Sequence, residues 1–178
     1  EEYAASALAK GLSVIGISDH APLPDGLREG VTMRPGDVEH YIAAAEAARD
    51  KFEGKISVRI GFEVDYPLHP TFDSSYFSDP RIDYLIGSCH YIGTWPLDHP
   101  DFKDDYFRRG IDTVYTDYYD ALEACAASGL FNIIGHFDLA KKFGYRPMKD
   151  MTKKITAVAK AAARTNTAVE MNTAGLRK

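Results

Sequence analysis

IDYLIGSCH, residues 82–90, is an apolar run that closes on a histidine, and it is one of four stretches of the same form. LSVIGISDH (12–20) closes on His20, SVRIGFE (57–63) on Glu63 and FNIIGH (131–136) on His136. Short continuous runs of Val, Ile and Leu suit strands buried on both faces, as in a parallel sheet. On this pattern strands are predicted at Leu12–Ser18, Ile56–Phe62, Ile82–Ser88, Phe131–Gly135 and Thr167–Met171.

Amphipathic helical stretches lie between them. Residues 36–52 place Val38, Tyr41, Ile42, Ala45 and Arg49 along one stripe, with Gly54 as a stop. Residues 112–128 and 150–164 repeat the scheme, the last with Ile155, Val158, Ala159 and Ala162 on one face; Asp112 and Asp150 are the expected N-caps. Residues 1–11 read as the second half of a helix. Strand alternating with helix indicates an α/β fold with parallel strands. With no internal repeat, low-complexity tract or linker, one domain over 1–178 is expected.

Where parallel strands close into a barrel, their C-terminal ends open on one face, so residues distant in sequence meet there. His20, Glu63, His90 and His136 are then expected around one spot. Three imidazoles and a carboxylate suit divalent Zn, Mn or Fe, and a carboxylate can bridge two ions where an imidazole cannot. One histidine at a strand end is more often solvated than a ligand; four such ends in succession carry the reading. His40, on the polar side of a helix, and His69 and His99, before prolines, are expected to be exposed. Cys89 neighbours His90 on an extended strand, so its side chain points to the opposite face.

Composition narrows the function classes. A net charge of -5 with no Lys/Arg stripe argues against coating nucleic acid. No apolar run approaches the roughly 18 residues of a membrane span. Two cysteines, Cys89 and Cys125, are too few and too far apart for a disulfide framework or thiolate zinc site, and read as small buried apolar groups. No Gly-x-Ser-x-Gly elbow or Cys-x5-Arg loop offers a competing nucleophile, and Ser88 sits on a buried strand. The long Pro- and Gly-punctuated connections 21–35 and 91–110 are where binding groups usually sit.

The ordered set GISDH (16–20), GFEVDY (61–66), GSCHYI (87–92), GHFDL (135–139) and EMNTAGLRK (170–178) resembles the successive motifs of the PHP phosphoesterases, the polymerase and histidinol phosphatase family. GSCHYI and EMNTAGLRK are most similar to the histidinol-phosphate phosphatases. The resemblance implies a PHP-type (β/α)7 barrel, a distorted TIM-like barrel, with three divalent metals at its C-terminal face. It also implies a cytoplasmic enzyme acting on a small phosphate ester, with neither nucleic acid nor membrane as partner. By matched position His20 ligates the outer metal, Glu63 bridges two, and His90 and His136 complete the ion shared with Glu63, with Glu63, His90 and His136 as the catalytic centre. Asp19 orients the site without ligating. The family's opening His-x-His and closing Asp-x-His are not among these residues. The expectation is therefore a fragment of the barrel, lacking its first strand and its C-terminal strand or strands.

Clustered divalent ions lower the pKa of bound water and neutralise phosphoryl oxygens, so direct attack by a metal-bound hydroxide without a phosphoenzyme is expected. Arg177 and Asn172, with Lys142 and Arg146 after His136, are the candidates for the substrate phosphate. Trp95, Asp98, Asp101, Asp104 and Asp105 in the 91–110 connection could stack on a ring or meet a cation. The alternatives are a PHP phosphoesterase acting on nucleotides or phosphotyrosine, a non-catalytic metal-binding PHP domain, and an unrelated α/β barrel without metal.

Overall fold

The structure, a computed structural model, describes residues 1–24, 26–27, 31–70 and 72–173. The chain divides into two compact units, Glu1–Val64 with His69–Leu85, and Asp65–Leu68 with Ile86–Lys178.

In the first unit, helix α1 (Glu2–Ala9) leads into strand β1 (Val14–His20), and helix α2 (Val38–Lys51) into strand β2 (Ser57–Asp65), whose last residue already belongs to the second unit. The two strands run parallel, in register from Val14 opposite Ser57 to His20 opposite Glu63. Ala4 and Ala7 of α1 pack with Phe52, Ile56 and Val58, and Ile15 and Ile17 of β1 join them. From α2, the buried stripe is Val38, Ile42, Ala45 and Ala48. Its Tyr41 hydroxyl reaches the carbonyls of Ile17 and Gly61, at 3.0 and 2.7 Å, and so ties helix to both strands. After α2 the chain turns at Gly54, whose φ of +73° suits the residue without a side chain.

In the second unit, the end of strand β3 (Tyr84–Ser88) pairs parallel with β6 (Ile133–Ile134), and β6 with β7 (Ala168–Val169). The connection after β3 is structured: a hairpin of β4 (Tyr91–Ile92) and β5 (Trp95–Pro96), a 3-10 turn, and the short helix α3 (Asp105–Arg109). Helix α4 (Ile111–Ala127) buries Val114, Tyr115, Tyr118, Tyr119, Leu122, Cys125 and Ala126. Helix α5 (Thr152–Thr165) packs against it, and the Thr165 hydroxyl donates to the Ala126 carbonyl at 3.0 Å.

Parallel strands alternating with helices are thus present, as the apolar runs predict. Several details differ. Strand β1 is not buried on both faces: Leu12 and Val14 are half exposed, because α1 and α2 cover only the side that Ile15 and Ile17 present. β6 and β7 are two-residue ladders, although backbone bonds from Ala168 to Asn132 and from Glu170 to Ile134 extend the pairing on both sides. On α5 the buried positions are Val158, Ala161 and Ala162, while Ile155 and Ala159 face outward, since contact with α4 selects a stripe turned from the one expected. Asp112 caps no helix: α4 has already begun, and the Asp112 carboxylate accepts the Met148 and Lys149 amides. The N-cap of α5 is Met151 and not Asp150, although the Asp150 carboxylate accepts the Thr152 amide at 2.9 Å one residue further on.

The glycines of the recurrent strand ends are packing positions. A Cβ on Gly16 or Gly61 would meet the Tyr84 ring, at 2.4 Å from its hydroxyl and 2.7 Å from Cζ respectively. One on Gly87 would lie 2.5 Å from Phe131 Cδ2 and 2.7 Å from Cys125 Sγ, and one on Gly135 would lie 2.4 Å from Ser88 Oγ. Overpacking of this kind costs about 1–3 kcal/mol. Gly87→Ala is therefore expected to lower stability to urea by about that amount, and Phe131→Leu in the same chain to recover part of it.

Candidate functional site

The first unit brings two of the expected ligands together. Parallel register sets His20 opposite Glu63, and their side chains lie 3.8 Å apart, from Nε2 to Oε2. Both are largely but not wholly buried, at 19% and 17% side-chain exposure, so they remain open at the C-terminal strand ends. Beside them Asp19 turns back on the chain, its carboxylate accepting the His20 amide at 2.8 Å. Asp19 thus shapes the approach to His20.

The second unit brings together the other two. His90, two residues past β3, is buried, and its Nδ1 lies 2.7 Å from the carboxylate of the equally buried Asp65. A carboxylate can only accept there, so the Asp65 bond places a proton on Nδ1, and in the neutral ring Nε2 is then the nitrogen that carries the lone pair. The His136 ring stands edge-on to His90 with centroids 5.2 Å apart, and the ligating atoms of the two residues are within 4.8 Å of one another. Two imidazoles at this separation could share a cation of zinc's size.

His136 is held in an unusual backbone conformation. Its φ of +49° lies in the left-handed region, which costs a residue with a side chain about 1–3 kcal/mol. Surrounding bonds enforce it: the His136 amide donates to Glu170 Oε2 at 2.7 Å, and the Tyr118 hydroxyl donates to the His136 carbonyl. Asn172 Nδ2 lies 3.2 Å from His136 Nδ1 and donates to Glu170 Oε1 at the same distance. Burial pushes the Tyr118 hydroxyl well above its ordinary pKa, so it stays a donor.

Of the phosphate candidates, Asn172 is thus beside His136. Lys142 Nζ is 3.2 Å from the carboxylate of buried Asp98, and Arg146 is exposed and directed to the Tyr145 carbonyl. Arg177 lies outside the described residues, as does part of the 21–35 connection. Trp95 is unsuited to stacking on a substrate: it is buried against Tyr106, with the Arg109 guanidinium 4.5 Å over its ring. Asp105 pairs with Arg108, whereas Asp101 is 84% exposed and lies 3.9 Å from His99 Nδ1. His40 and His99 are exposed as expected, whereas His69 is half buried. Cys89 and Cys125 are both buried, and their mutual hydrogen bond together with burial raises the Cys89 thiol's pKa.

Asp65, Glu170 and Tyr118 are the residues that sequence reading missed at these positions. Two had a signal. Asp65 follows Glu63 by two residues, the repeat of an extended strand, and Glu170 closes the fifth apolar run as His20, Glu63, His90 and His136 close the others. Asp65→Ala would leave the buried His90 Nδ1 without its acceptor. A loss of about 1–3 kcal/mol is expected in urea unfolding of the metal-free protein.

The sequence matches the PHP domain over residues 1–174. It is 39% identical over 178 residues to a Deinococcus radiodurans protein named "Probable histidinol-phosphatase", covering 99% of this chain and 68% of that one. It is 28% identical to the histidinol-phosphatase of Bacillus subtilis, covering 99% of this chain and 75% of the relative. Among solved structures, histidinol phosphate phosphatase from Lactococcus lactis, complexed with zinc, L-histidinol and phosphate, superimposes with a TM-score of 0.77 at 20% identity. That match spans 99% of this chain and 68% of the other.

Proposed function

This chain belongs to the PHP domain family, and from that premise we propose that it is a metal-dependent phosphomonoester hydrolase converting L-histidinol phosphate to L-histidinol and phosphate. The observation that carries the reading is the His90–His136 pair, two imidazoles 5.2 Å apart with the first held at Nδ1 by a buried carboxylate. The choice of substrate is supported by the relatives, whose names specify this phosphatase.

The donors fit the metals the family implies. Imidazoles and carboxylates without a thiolate suit Zn, Mn or Fe, and among the described residues no cysteine joins the candidate groups. His20 and Glu63 of the first unit, with His90 and His136 of the second, are the proposed ligands, three ions occupying the complete site of a (β/α)7 barrel. Bound divalent ions supply Lewis acidity, lowering the pKa of water and neutralising phosphoryl oxygens.

The chain's own residues supply orientation. Asp65 keeps His90 in the tautomer that offers Nε2, and the left-handed turn at His136 aims the second imidazole from the end of β6. Asn172 has an amide able to donate to a phosphate oxygen, and Arg177 follows it by five residues. Lys142 and Arg146 are further cations on the segment after His136, and Asp98 limits how far the Lys142 charge can turn toward an anion. Glu63, His90 and His136 are the groups assigned to the reacting centre. The partner is a small phosphate ester; among the described residues no helix is long and apolar enough to cross a membrane.

Phosphate release should be fastest from L-histidinol phosphate in a panel that includes nucleotides and phosphotyrosine, cease on chelation, and return with zinc. Equal rates across the panel would remove the substrate assignment. His90→Ala is expected to lower kcat/KM by roughly 100-fold or more. In labelled water, one solvent oxygen is expected in each phosphate released; none would contradict direct hydrolysis.

A further inference from the structure

Glu170 meets His136 at both its backbone amide and its ring. It follows β7, and its own amide donates to the Ile134 carbonyl at 2.9 Å, which fixes it beside the end of β6. From there Oε2 accepts the His136 amide at 2.7 Å and lies 3.4 Å from His136 Nδ1, while Oε1 accepts from Asn172. The His136 amide lies past the ladder, in a residue turned to a φ of +49°, so no strand carbonyl supplies its acceptor. A side-chain carboxylate does.

We infer that Glu170 is a positioning residue for His136, holding its left-handed backbone and its ring direction so that the imidazole is aimed before a metal arrives. This rests on His136 being a metal ligand. The simpler alternative, a surface carboxylate making incidental contacts, does not account for two hydrogen bonds and a close ring approach that all end on His136 or on the Asn172 that touches it. Nor does Glu170 itself need to ligate, since Oε2 is already engaged by the amide and Oε1 by Asn172. Such partners of ligating histidines orient the ring, and their loss weakens metal binding.

The test uses the natural full-length protein with three substitutions, and circular dichroism to check the fold. In metal-free protein labelled with 15N-histidine, E170A is expected to move the His136 amide and imidazole resonances and to lose amide protection from exchange. E170Q retains an oxygen acceptor at the same reach and should keep most of both. In chelator competition E170A should bind zinc roughly 10- to 100-fold more weakly, with E170Q closer to the parent. If E170A fails to fold, E170D, whose arm is one methylene shorter, takes its place with the same expected loss.

Unchanged zinc affinity and unchanged His136 resonances in E170A, or in E170D where that replaces it, would overturn the proposal. So would equal zinc loss in E170A and E170Q with His136 resonances unmoved, because the effect would then be one of charge alone. H136A separates the two levels: parent-like zinc affinity there would remove His136 as a ligand, and the role given to Glu170 with it. Zinc loss in H136A without loss in E170A would leave the ligand and remove only the positioning residue.

Discussion

Close approach at side-chain-free positions is the constraint on which both halves of this protein depend. Gly16 and Gly61 lie under one tyrosine ring, Gly87 under a phenylalanine and a cysteine, and Gly135 against a serine hydroxyl. A slip of one residue along any of these strands would drive a methyl or larger group into that contact and turn every following side chain to the other face. The register is therefore fixed by sterics before chemistry is added. Each chemical residue then stands a fixed step beyond its glycine: His20 four residues on, Glu63 two, His90 three and His136 one.

The two units hold their imidazoles by different means. His20 lies within a seven-residue strand, opposite Glu63 in a regular ladder, and regular pairing suffices to orient it. His136 comes after a ladder of only two residues, and its backbone leaves the extended region altogether. Its placement is taken over by Glu170 and Asn172 from the segment after β7 and by Tyr118 from α4. His90 is intermediate, carried past the end of β3 but buried against the Asp65 carboxylate. A strained residue of this kind persists where its surroundings over-determine it.

What could be read in the sequence follows from this division. Apolar runs of short length and their helical intervals gave parallel strands in the right places, because burial on a period is written locally. Paired placement of His20 with Glu63 was legible for the same reason. The partners of His136 and His90 were less so: Asp65 and Glu170 are ordinary acids in the sequence, and only the fold brings Glu170 to a residue 34 positions earlier. Trp95 was misread as a stacking platform because its composition suits that role, whereas Arg109 and Tyr106, supplied by the following short helix, cover it. The expected face of α5 was off by one turn of choice among alanines, whose small size lets neighbouring stripes serve equally until α4 selects one.

The Tyr84 ring, lying over two glycines on two different strands, also bears on how such a sequence can change over time. Neither glycine can acquire even a methyl group while the tyrosine is in place; a shrunken residue at 84 would free Gly16, whose three nearest contacts are all ring atoms of Tyr84, but not Gly61, which also meets the backbone carbonyl of residue 84 at 2.6 Å. The permissible histories are thus ordered at Gly16, where the aromatic must yield first, leaving a void, and only then can the small residue grow to fill it, while Gly61 stays held by backbone. Drift here should proceed in linked steps, never singly from the strand side.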